Sequence, residues 1–266
     1  MNKNIIILRA ILSNIFFKFD SIFYRNEYLK IVCYHGIKKS NNRYDVSLKD
    51  FEKQIKNFSK NYIFAHPLDL DRIAKKNYKY KSVLITFDDG FDNFLSCVPI
   101  LDKYSIKPLL FVLSDRKNVN RKELANNSKL LNKKQIKSLL GKGYVIGSHG
   151  ATHADFSNLQ DKQILKEIFE SKKKLESEFG IAIKHFAYPK GAYNNKIIES
   201  TKKAGYKYAF SIEPGSVNSH SDKFALPRTI IDNTHLSFEI PSLITQSWLD
   251  FRKYTNRFKL WELLIK

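Results

Sequence analysis

Two aspartates and two histidines are placed where their side chains could hold a metal ion. Asp88 and Asp89 follow the run Ser82–Phe87, which has the β-branched and aromatic composition of a buried strand. His149 and His153 follow a second apolar run, and their spacing lets both imidazoles meet at one ion. One carboxylate and two imidazoles are the three-ligand set of a catalytic zinc site, and the second carboxylate would be free to act as a general base.

A third segment, residues 186–191, has the sequence Phe-Ala-Tyr-Pro-Lys-Gly. An aromatic residue, a proline and a glycine at a strand end build a rigid wall and can expose a backbone N–H to a substrate. Each of the three segments also has a simpler interpretation: a solvated Asp-Asp-Gly turn, a chance pair of histidines and an ordinary proline turn. Their common position at strand ends favours a functional site, because α/β folds place their sites there.

The elements that would position these segments alternate between strand-like and helix-like runs. Apolar runs typical of strands cover residues 30–35, 82–87, 108–113, 144–147, 185–188, 206–212 and 224–231. Helical spacing covers residues 48–61, 92–103, 132–140, 161–179 and 195–204. This alternation predicts an α/β domain with a mainly parallel sheet, and about seven strand units favour a barrel or a barrel relative. The polar residues 114–131 are expected to form an excursion between two units.

The segments at 86–90 (Thr-Phe-Asp-Asp-Gly) and 148–153 (Ser-His-Gly-Ala-Thr-His) resemble the first two motifs of the NodB-type polysaccharide deacetylases, carbohydrate esterase family four. The segment at 186–191 resembles a degenerate third motif, and the resemblance covers roughly residues 29–235. It implies a distorted (β/α)7-type barrel, in agreement with the alternation of strands and helices. It also implies a metal-dependent hydrolase that acts on carbohydrate.

Carried over by position, the resemblance implies a role for each motif residue. Asp88 would be the general base, whereas Asp89, His149 and His153 would bind the metal, which is usually Zn²⁺ in this family. Lys190 stands where an aromatic residue is usual, and its backbone N–H would face the oxyanion. The residues expected to contact the substrate or the oxyanion are Tyr188, Pro189, Lys190 and Arg228.

Two positions depart from the family pattern. Ala187 occupies the place of the arginine that usually orients the base, so either Arg228 replaces that arginine or the base is tuned in another way. The late Leu–His motif that usually supplies the general acid is not clear. His35, which lies in an early Tyr-His pair, is the candidate for this role, and His235 is the alternative.

The composition limits the class of protein and its partners. The 266 residues are 43% hydrophobic and 14% aromatic, which provides a core and excludes a disordered chain. Lys and Arg number 46 against 26 Asp and Glu, and the net charge of +20 favours an anionic partner. We expect no nucleic-acid partner, since the sequence has no glycine-rich phosphate loop, RNP-type strand or zinc-finger spacing. Cys33 and Cys97 lie outside any CxxC pair and are expected to be buried free thiols.

Both ends of the chain have amphipathic patterns. Residues 1–28 have helical spacing, which predicts a helix in an anionic membrane surface, a helix packed on the domain, or an uncleaved export signal. The second segment covers residues 241–266. Within it, residues 247–266 alternate aromatic and basic residues, among them Trp248, Phe258 and Trp261, and suit a membrane interface or a protein core. We therefore divide the chain into these two segments and a catalytic barrel at 29–240. We expect it beside the cell membrane, on the cytoplasmic face in preference to the exported one.

The resemblance implies that the function is removal of an N-acetyl or other N-acyl group from an amino sugar. The substrate would be a cell-surface glycan or a lipid-linked sugar intermediate, and an anionic membrane surface would be a further partner. A related amide or formamide hydrolase is a second enzyme hypothesis. The alternatives outside catalysis are an inactive carbohydrate-binding member of the same fold, suggested by the missing arginine, and a basic nucleic-acid-binding protein.

Overall fold

The computed structural model describes residues 3–23, 29–74, 80–120, 124 and 128–257. The strands in these ranges are β1 (Leu29–Tyr34), β2 (Gly36–Ile37), β3 (Asp45–Val46), β4 (Ile63–Phe64), β5 (Ser82–Phe87), β6 (Leu109–Val112), β7 (Val145–Ser148), β8 (His185–Ala187), β9 (Tyr208–Phe210) and β10 (Thr229–Ile230). The α-helices are α1 (Lys3–Phe23), α2 (Leu48–Ser59), α3 (Asp69–Ala74), α4 (Val98–Lys103), α5 (Lys133–Gly141), α6 (Asp161–Ile164), α7 (Ser171–Phe179), α8 (Asn195–Lys203), α9 (Ile240–Leu243) and α10 (Gln246–Arg257). A π-helical segment, Leu165–Glu170, joins α6 to α7.

Seven strands form one parallel sheet in the order β10-β1-β5-β6-β7-β8-β9, and β4 pairs beside β5. The ladder between β1 and β5 runs from Leu29 opposite Ser82 to Tyr34 opposite Phe87. The two ends of the sheet approach each other at an isolated parallel bridge between Phe210 and Leu226. The predicted parallel α/β architecture with seven strand units is therefore present as a curled sheet.

Both faces of the sheet are covered by packed side chains, so the strands are buried on both faces. Every residue of β5 and β6 is buried. One cluster of buried side chains, which includes Leu84, Phe111 and Phe210, fills the inside of the curl. A larger cluster, which includes Phe51 and Ile136, lies between the sheet and its helices. With both faces packed, the carboxyl ends of the strands form the edge at which polar side chains can gather.

Two helices from the terminal segments, α1 and α10, pack on each other and on α9. The ring of Phe16 lies 5.8 Å from that of Trp248 and 4.8 Å from that of Phe251, and Trp248 is buried. One side of α1 is thus packed on the domain, as one of the three sequence hypotheses predicts. No helix in the described ranges is long and apolar enough to cross a bilayer. The division of the chain into three segments stays a prediction, and Phe258 and Trp261 lie outside the described residues.

Other local predictions have mixed outcomes. Cys33 and Cys97 are buried free thiols, as expected. The apolar run at 224–231 is a strand only at β10, because residues 222–225 form a turn in which the Ala225 N–H donates to the Asp222 carbonyl. The described part of the excursion at 114–131 has no helix, and an antiparallel bridge from Leu130 to Phe91 returns it to the barrel.

Candidate metal centre and active site

Asp89, His149 and His153 bring one carboxylate and two imidazoles to a common point. Oδ1 of Asp89 lies 3.5 Å from Nε2 of His149 and 3.4 Å from Nε2 of His153. One ligand atom from each residue lies within 4.8 Å of the other two, and all three residues are buried. Asp89 follows β5 and the histidines follow β7, so the parallel sheet brings the predicted metal ligands together at one edge.

The state of these groups fits a divalent cation. Oδ1 of Asp89 is buried without a hydrogen-bond partner among the described residues. Burial, reinforced by the charge of Asp88, raises the pKa of Asp89 well above its usual range, so its carboxylate needs a cation to be ionised. Burial also lowers the pKa of His149, and it lowers that of His153 to about 3, which keeps both rings neutral. Nδ1 of His149 donates to the Ala187 carbonyl at 2.9 Å, which leaves its Nε2 free to bind a metal.

Three residues of the site have left-handed backbone conformations that residues with side chains rarely adopt. The φ angle is 69° at Asp89, 64° at His153 and 57° at Lys190. Among the described non-glycine residues only Ser105 shares this conformation. Such conformations cost about 1–3 kcal/mol each and persist where the surrounding structure imposes them. Three of the four such residues therefore lie in the candidate site, and strained backbone of this kind clusters at active sites and ligand clamps.

Asp88 is held by a buried arginine from a distant part of the chain. Nη1 of Arg228 donates to Oδ1 of Asp88 at 2.6 Å, and Nη2 donates to Oδ2 at 2.8 Å. Burial alone would raise the pKa of Asp88, but the guanidinium outweighs it and holds the pKa well below its usual range. Nε of Arg228 donates to the Ser211 carbonyl at 2.9 Å, and the guanidinium lies 5.2 Å from the centre of the Phe111 ring. Arg228 thus provides the positive charge that the family arginine, replaced here by Ala187, would otherwise provide.

The sequence places Arg228 among the residues expected to contact the substrate or the oxyanion. The structure places it elsewhere. Its side chain is fully buried and its hydrogen bonds go to Asp88, Thr86 and the Ser211 carbonyl. It lies inside the barrel behind Asp88 and holds that carboxylate. The sequence alternative in which Arg228 replaces the family arginine agrees with this geometry.

A cavity of about 350 Å³ opens onto the carboxylates and imidazoles. Its lining residues are His35, Tyr44, Asp88, Asp89, His149, His153, Lys190, Ile212 and Ile230. A larger groove, of about 580 Å³, lies between residues 114–117 and α7. The chemistry belongs to the smaller cavity, because the larger groove is a charged surface depression that none of the candidate site residues lines.

The two candidate general acids lie in different surroundings. His35 lines the cavity, its ring centre lies 5.2 Å from that of Tyr44, and its buried Nδ1 has no hydrogen-bond partner among the described residues. Burial lowers the pKa of His35 to about 4. Nδ1 of His235 instead accepts the Asp232 N–H at 3.1 Å, away from the cavity lining. Position therefore favours His35 over His235.

The predicted wall at 186–191 reaches the cavity through one residue. Lys190 lines it, and Nζ of Lys190 lies 3.4 Å from Oδ2 of Asp155. Tyr188 and Pro189 are buried, and the Tyr188 hydroxyl donates to the Phe224 carbonyl at 2.9 Å. The Tyr188 side chain therefore supports the wall, and the backbone contact expected for Lys190 stays a prediction.

A buried glutamate holds the loop between the two histidines. Oε2 of Glu167 accepts the backbone N–H groups of Ala151 at 2.7 Å and Thr152 at 3.0 Å, and its Oε1 accepts the Thr152 hydroxyl at 2.6 Å. Gly150 makes this approach possible, because its φ is +83° and a Cβ there would lie 2.8 Å from Oε2. Glu167 belongs to the π-helical segment, a rare conformation that is frequent at functional sites.

We expect Glu167→Ala to weaken metal binding about 10- to 100-fold, as loss of residues that orient metal ligands does. The variant leaves two backbone N–H groups without their acceptor and frees the loop that carries His153. Glu167→Gln keeps one acceptor oxygen and should lose less. Glu170→Ala, on the exposed side of the same helix, is the matched control. Titration with Zn²⁺ measures the affinities, and an unchanged affinity in a folded Glu167→Ala protein would contradict the role of Glu167.

Sequence reasoning missed Glu167 and Tyr44. Glu167 left a signal, because it adjoins the apolar stripe that contains Ile164, Ile168 and Leu175, where a charge needs a buried partner. Tyr44 left none, since it lies on the connection between β2 and β3 and belongs to none of the motifs.

Comparisons with known proteins agree with this geometry. Residues 75–209 match the family model for polysaccharide deacetylase. YxkH of Bacillus subtilis (strain 168), assigned to the polysaccharide deacetylases, is 31% identical over 204 residues, which are 75% of this chain and 70% of YxkH. The poly-beta-1,6-N-acetyl-D-glucosamine N-deacetylase of Staphylococcus aureus (strain MRSA252) is 28% identical over 227 residues, 75% of this chain and 77% of that protein. The crystal structure of BC0361, a polysaccharide deacetylase from Bacillus cereus, superimposes with a TM-score of 0.69 at 25% identity and covers 82% of this chain and 69% of that one.

The matched range includes the segments at 86–90 and 148–153, and therefore Asp88 and the three metal-ligand candidates. His35 and Arg228 lie outside it. The structural match covers 82% of this chain and agrees with the barrel expected from the sequence.

Proposed function

The chain belongs to the polysaccharide deacetylase family, and from this premise we propose that it is a metal-dependent hydrolase that removes an N-acetyl or related N-acyl group from an amino sugar. One observation carries the proposal: Asp89, His149 and His153 converge on one point in a cavity, with the ionised Asp88 beside them. The residues and relatives described above give no support to the inactive or the nucleic-acid-binding alternative.

Asp89, His149 and His153 would hold the metal, and zinc suits a ligand set of one carboxylate and two imidazoles. A bound zinc ion lowers the pKa of a water molecule and polarises a carbonyl group. The protein keeps both imidazoles neutral by burial, and the hydrogen bond from His149 to Ala187 fixes the orientation of that ring. These features are those that a catalytic metal site requires of its protein.

Asp88 would take the proton from the attacking water. Arg228 keeps its carboxylate ionised and fixes both of its oxygen atoms. His35 would then protonate the leaving nitrogen, without which the C–N bond does not break. Because the pKa of His35 is about 4, its ring enters the reaction neutral and must gain this proton during the reaction. Asp88, which would carry the proton taken from water, can pass it on, since one of its carboxylate oxygens lies within 4.8 Å of a His35 ring nitrogen.

The cavity supports a small unit as the reacting group. Its volume of about 350 Å³ is at the lower end of the roughly 300–1,000 Å³ that is typical of ligand pockets. Ile212 and Ile230 give it apolar surface beside the polar groups, which suits the methyl group of an acetamide. The Tyr44 ring offers a flat surface beside His35 for one sugar ring.

We propose an amino-sugar glycan of the cell surface, or a lipid-linked precursor of one, as the substrate. The name of the Staphylococcus aureus relative, which specifies N-acetyl-D-glucosamine, supports an N-acetylated amino sugar. The net charge of +20 supports work beside an anionic membrane surface. The cytoplasmic side of that membrane is the side we propose, on the sequence alone.

We expect the zinc-loaded protein to release free amine from β-1,6-linked N-acetylglucosamine oligomers or from a lipid-linked N-acetylglucosamine. Removal of the metal with a chelator should abolish the release, and added Zn²⁺ should restore it. N-formylated sugars in the same panel separate the deacetylase from the formamide hydrolase. No amine release from any acetylated sugar by the zinc-loaded protein, or full activity of verified metal-free protein, would overturn the proposal.

A further inference from the structure

The outward side of α1 is an apolar stripe of four branched side chains. Ile7, Leu8, Ile11 and Ile15 are between 43% and 55% exposed. They recur at steps of one, three and four residues and therefore share one face of the helix. In the described part of the chain no segment covers this stripe. Lys18, also exposed, continues the same face by one further turn.

The inward side of α1 is fixed, so the stripe cannot turn into the core. Arg9 forms an ion pair with the buried Glu239 at 2.5 Å. Oδ1 of Asp20 accepts the backbone N–H of Ser247 at 2.7 Å, at the start of α10. The ring of Phe16 packs against Trp248. The helix is thus anchored along its length, and its apolar stripe is held towards the surroundings.

The net charge of the protein and the limited hydrophobicity of α1 indicate what covers the apolar stripe. A second copy of the chain would bring two proteins of net charge +20 together, which like-charge repulsion opposes. An anionic bilayer offers an apolar layer for the stripe. Its negative headgroups attract the excess of lysine and arginine side chains in the protein. The helix is not apolar enough to cross that bilayer, so it would lie parallel to its surface.

Three hydrogen bonds connect α1 to the mouth of the catalytic cavity. Nη1 of Arg9 donates to Oγ1 of Thr234 at 3.3 Å, and this hydroxyl donates to Asp232 at 2.6 Å. Arg43 donates to the same Asp232 at 2.7 Å. Arg43 directly precedes Tyr44, which lines the cavity. These hydrogen bonds connect α1 to the side of the cavity on which Tyr44 lies. A partner that binds the outward face of α1 would therefore contact the helix that these bonds join to the cavity.

We propose that α1 docks the protein on an anionic lipid bilayer through the stripe of Ile7, Leu8, Ile11 and Ile15, beside the Tyr44 side of the cavity. The inference deepens the proposed function, since it specifies how the deacetylase reaches membrane-linked sugars. Lipid binding and amine release are measured separately, so either can fail without the other.

The test compares the full chain with two double variants. Ile11→Ser/Ile15→Ser changes the stripe, and Ile63→Ser/Leu68→Ser changes two equally exposed apolar side chains elsewhere. Each is sedimented with vesicles of phosphatidylcholine containing phosphatidylglycerol, and with vesicles of phosphatidylcholine alone. We expect binding to the anionic vesicles, a loss of about tenfold or more in the stripe variant, and near wild-type binding in the control.

Amine release from a soluble N-acetylglucosamine oligomer and the melting temperature show whether the stripe variant is intact; both should match the wild-type protein. The proposal is overturned if the wild-type protein does not bind anionic vesicles, or if both double variants bind equally well. A concentration-dependent dimer that the stripe variant loses, without vesicle binding, would show that a second copy occupies the stripe and would also overturn it.

Discussion

Asp88→Asn should lower the rate of deacetylation by about 10²- to 10⁴-fold, the usual contribution of a general base, while zinc still binds. The amide has nearly the shape of the carboxylate but cannot accept a proton from water. The three metal-ligand candidates, Asp89, His149 and His153, are unchanged in this variant. His149→Ala should instead lose both zinc and activity, because it removes one of them. Zinc affinity and amine release, measured on both variants, separate the base from the ligand.

The variant also removes half of a buried ion pair, so its stability must be measured. Arg228 would keep its charge inside the barrel with only an amide opposite, and breaking a buried pair typically costs about 3–5 kcal/mol. Unfolding by urea at saturating zinc gives the fraction of folded protein under assay conditions. Asp102→Asn, the same change at a half-exposed aspartate of α4, is the control and should keep full activity. Nearly full deacetylation by a folded Asp88→Asn protein would exclude Asp88 as the base.

The sequence predicted that the metal-ligand candidates would lie close together, because their positions depend on the sheet. In a parallel sheet each strand ends at the same edge, and only β6 separates β5 from β7. The backbone N–H of His149 donates to the Val112 carbonyl of β6 at 2.9 Å, which fixes the histidine segment against its neighbour. Residues that directly follow two such strands must come close. The alternation of strands and helices was therefore sufficient to predict that the pair Asp88–Asp89 meets His149. The choice of Asp89 as the ligand came from the family resemblance.

Contacts that depend on the curl of the sheet could not be predicted in this way. Arg228 and Asp88 are 140 positions apart and meet inside the barrel, and the sequence left two alternatives for the missing arginine. The left-handed conformation of Lys190 is imposed by its surroundings and has no signal in its residue type. The sequence did not predict that Glu167 would reach the histidine loop, since its contacts come from a π-helical segment that periodicity does not reveal.

Arg228→Leu is expected to affect both stability and catalysis, because it leaves Asp88 buried without its cation. In the wild-type protein the pKa of Asp88 is held below its ordinary value of 3.8, so the ion pair stabilises the fold at neutral pH. That contribution is lost only as the pH falls below 3.8 towards the folded pKa. Without the guanidinium, burial raises the pKa of Asp88 and a larger fraction of the base is protonated at neutral pH.

We therefore expect Arg228→Leu to lower the free energy of unfolding by about 3–5 kcal/mol at neutral pH. The acidic limb of its profile of kcat/KM against pH should move upward by at least about one unit. Arg228→Lys keeps the charge but loses the paired hydrogen bonds, so its limb should move less. A structural role alone would lower stability without moving the limb. If folded Arg228→Leu protein retains the wild-type pH profile, Arg228 does not set the ionisation of Asp88, and the charge of that carboxylate must be maintained by its other neighbours.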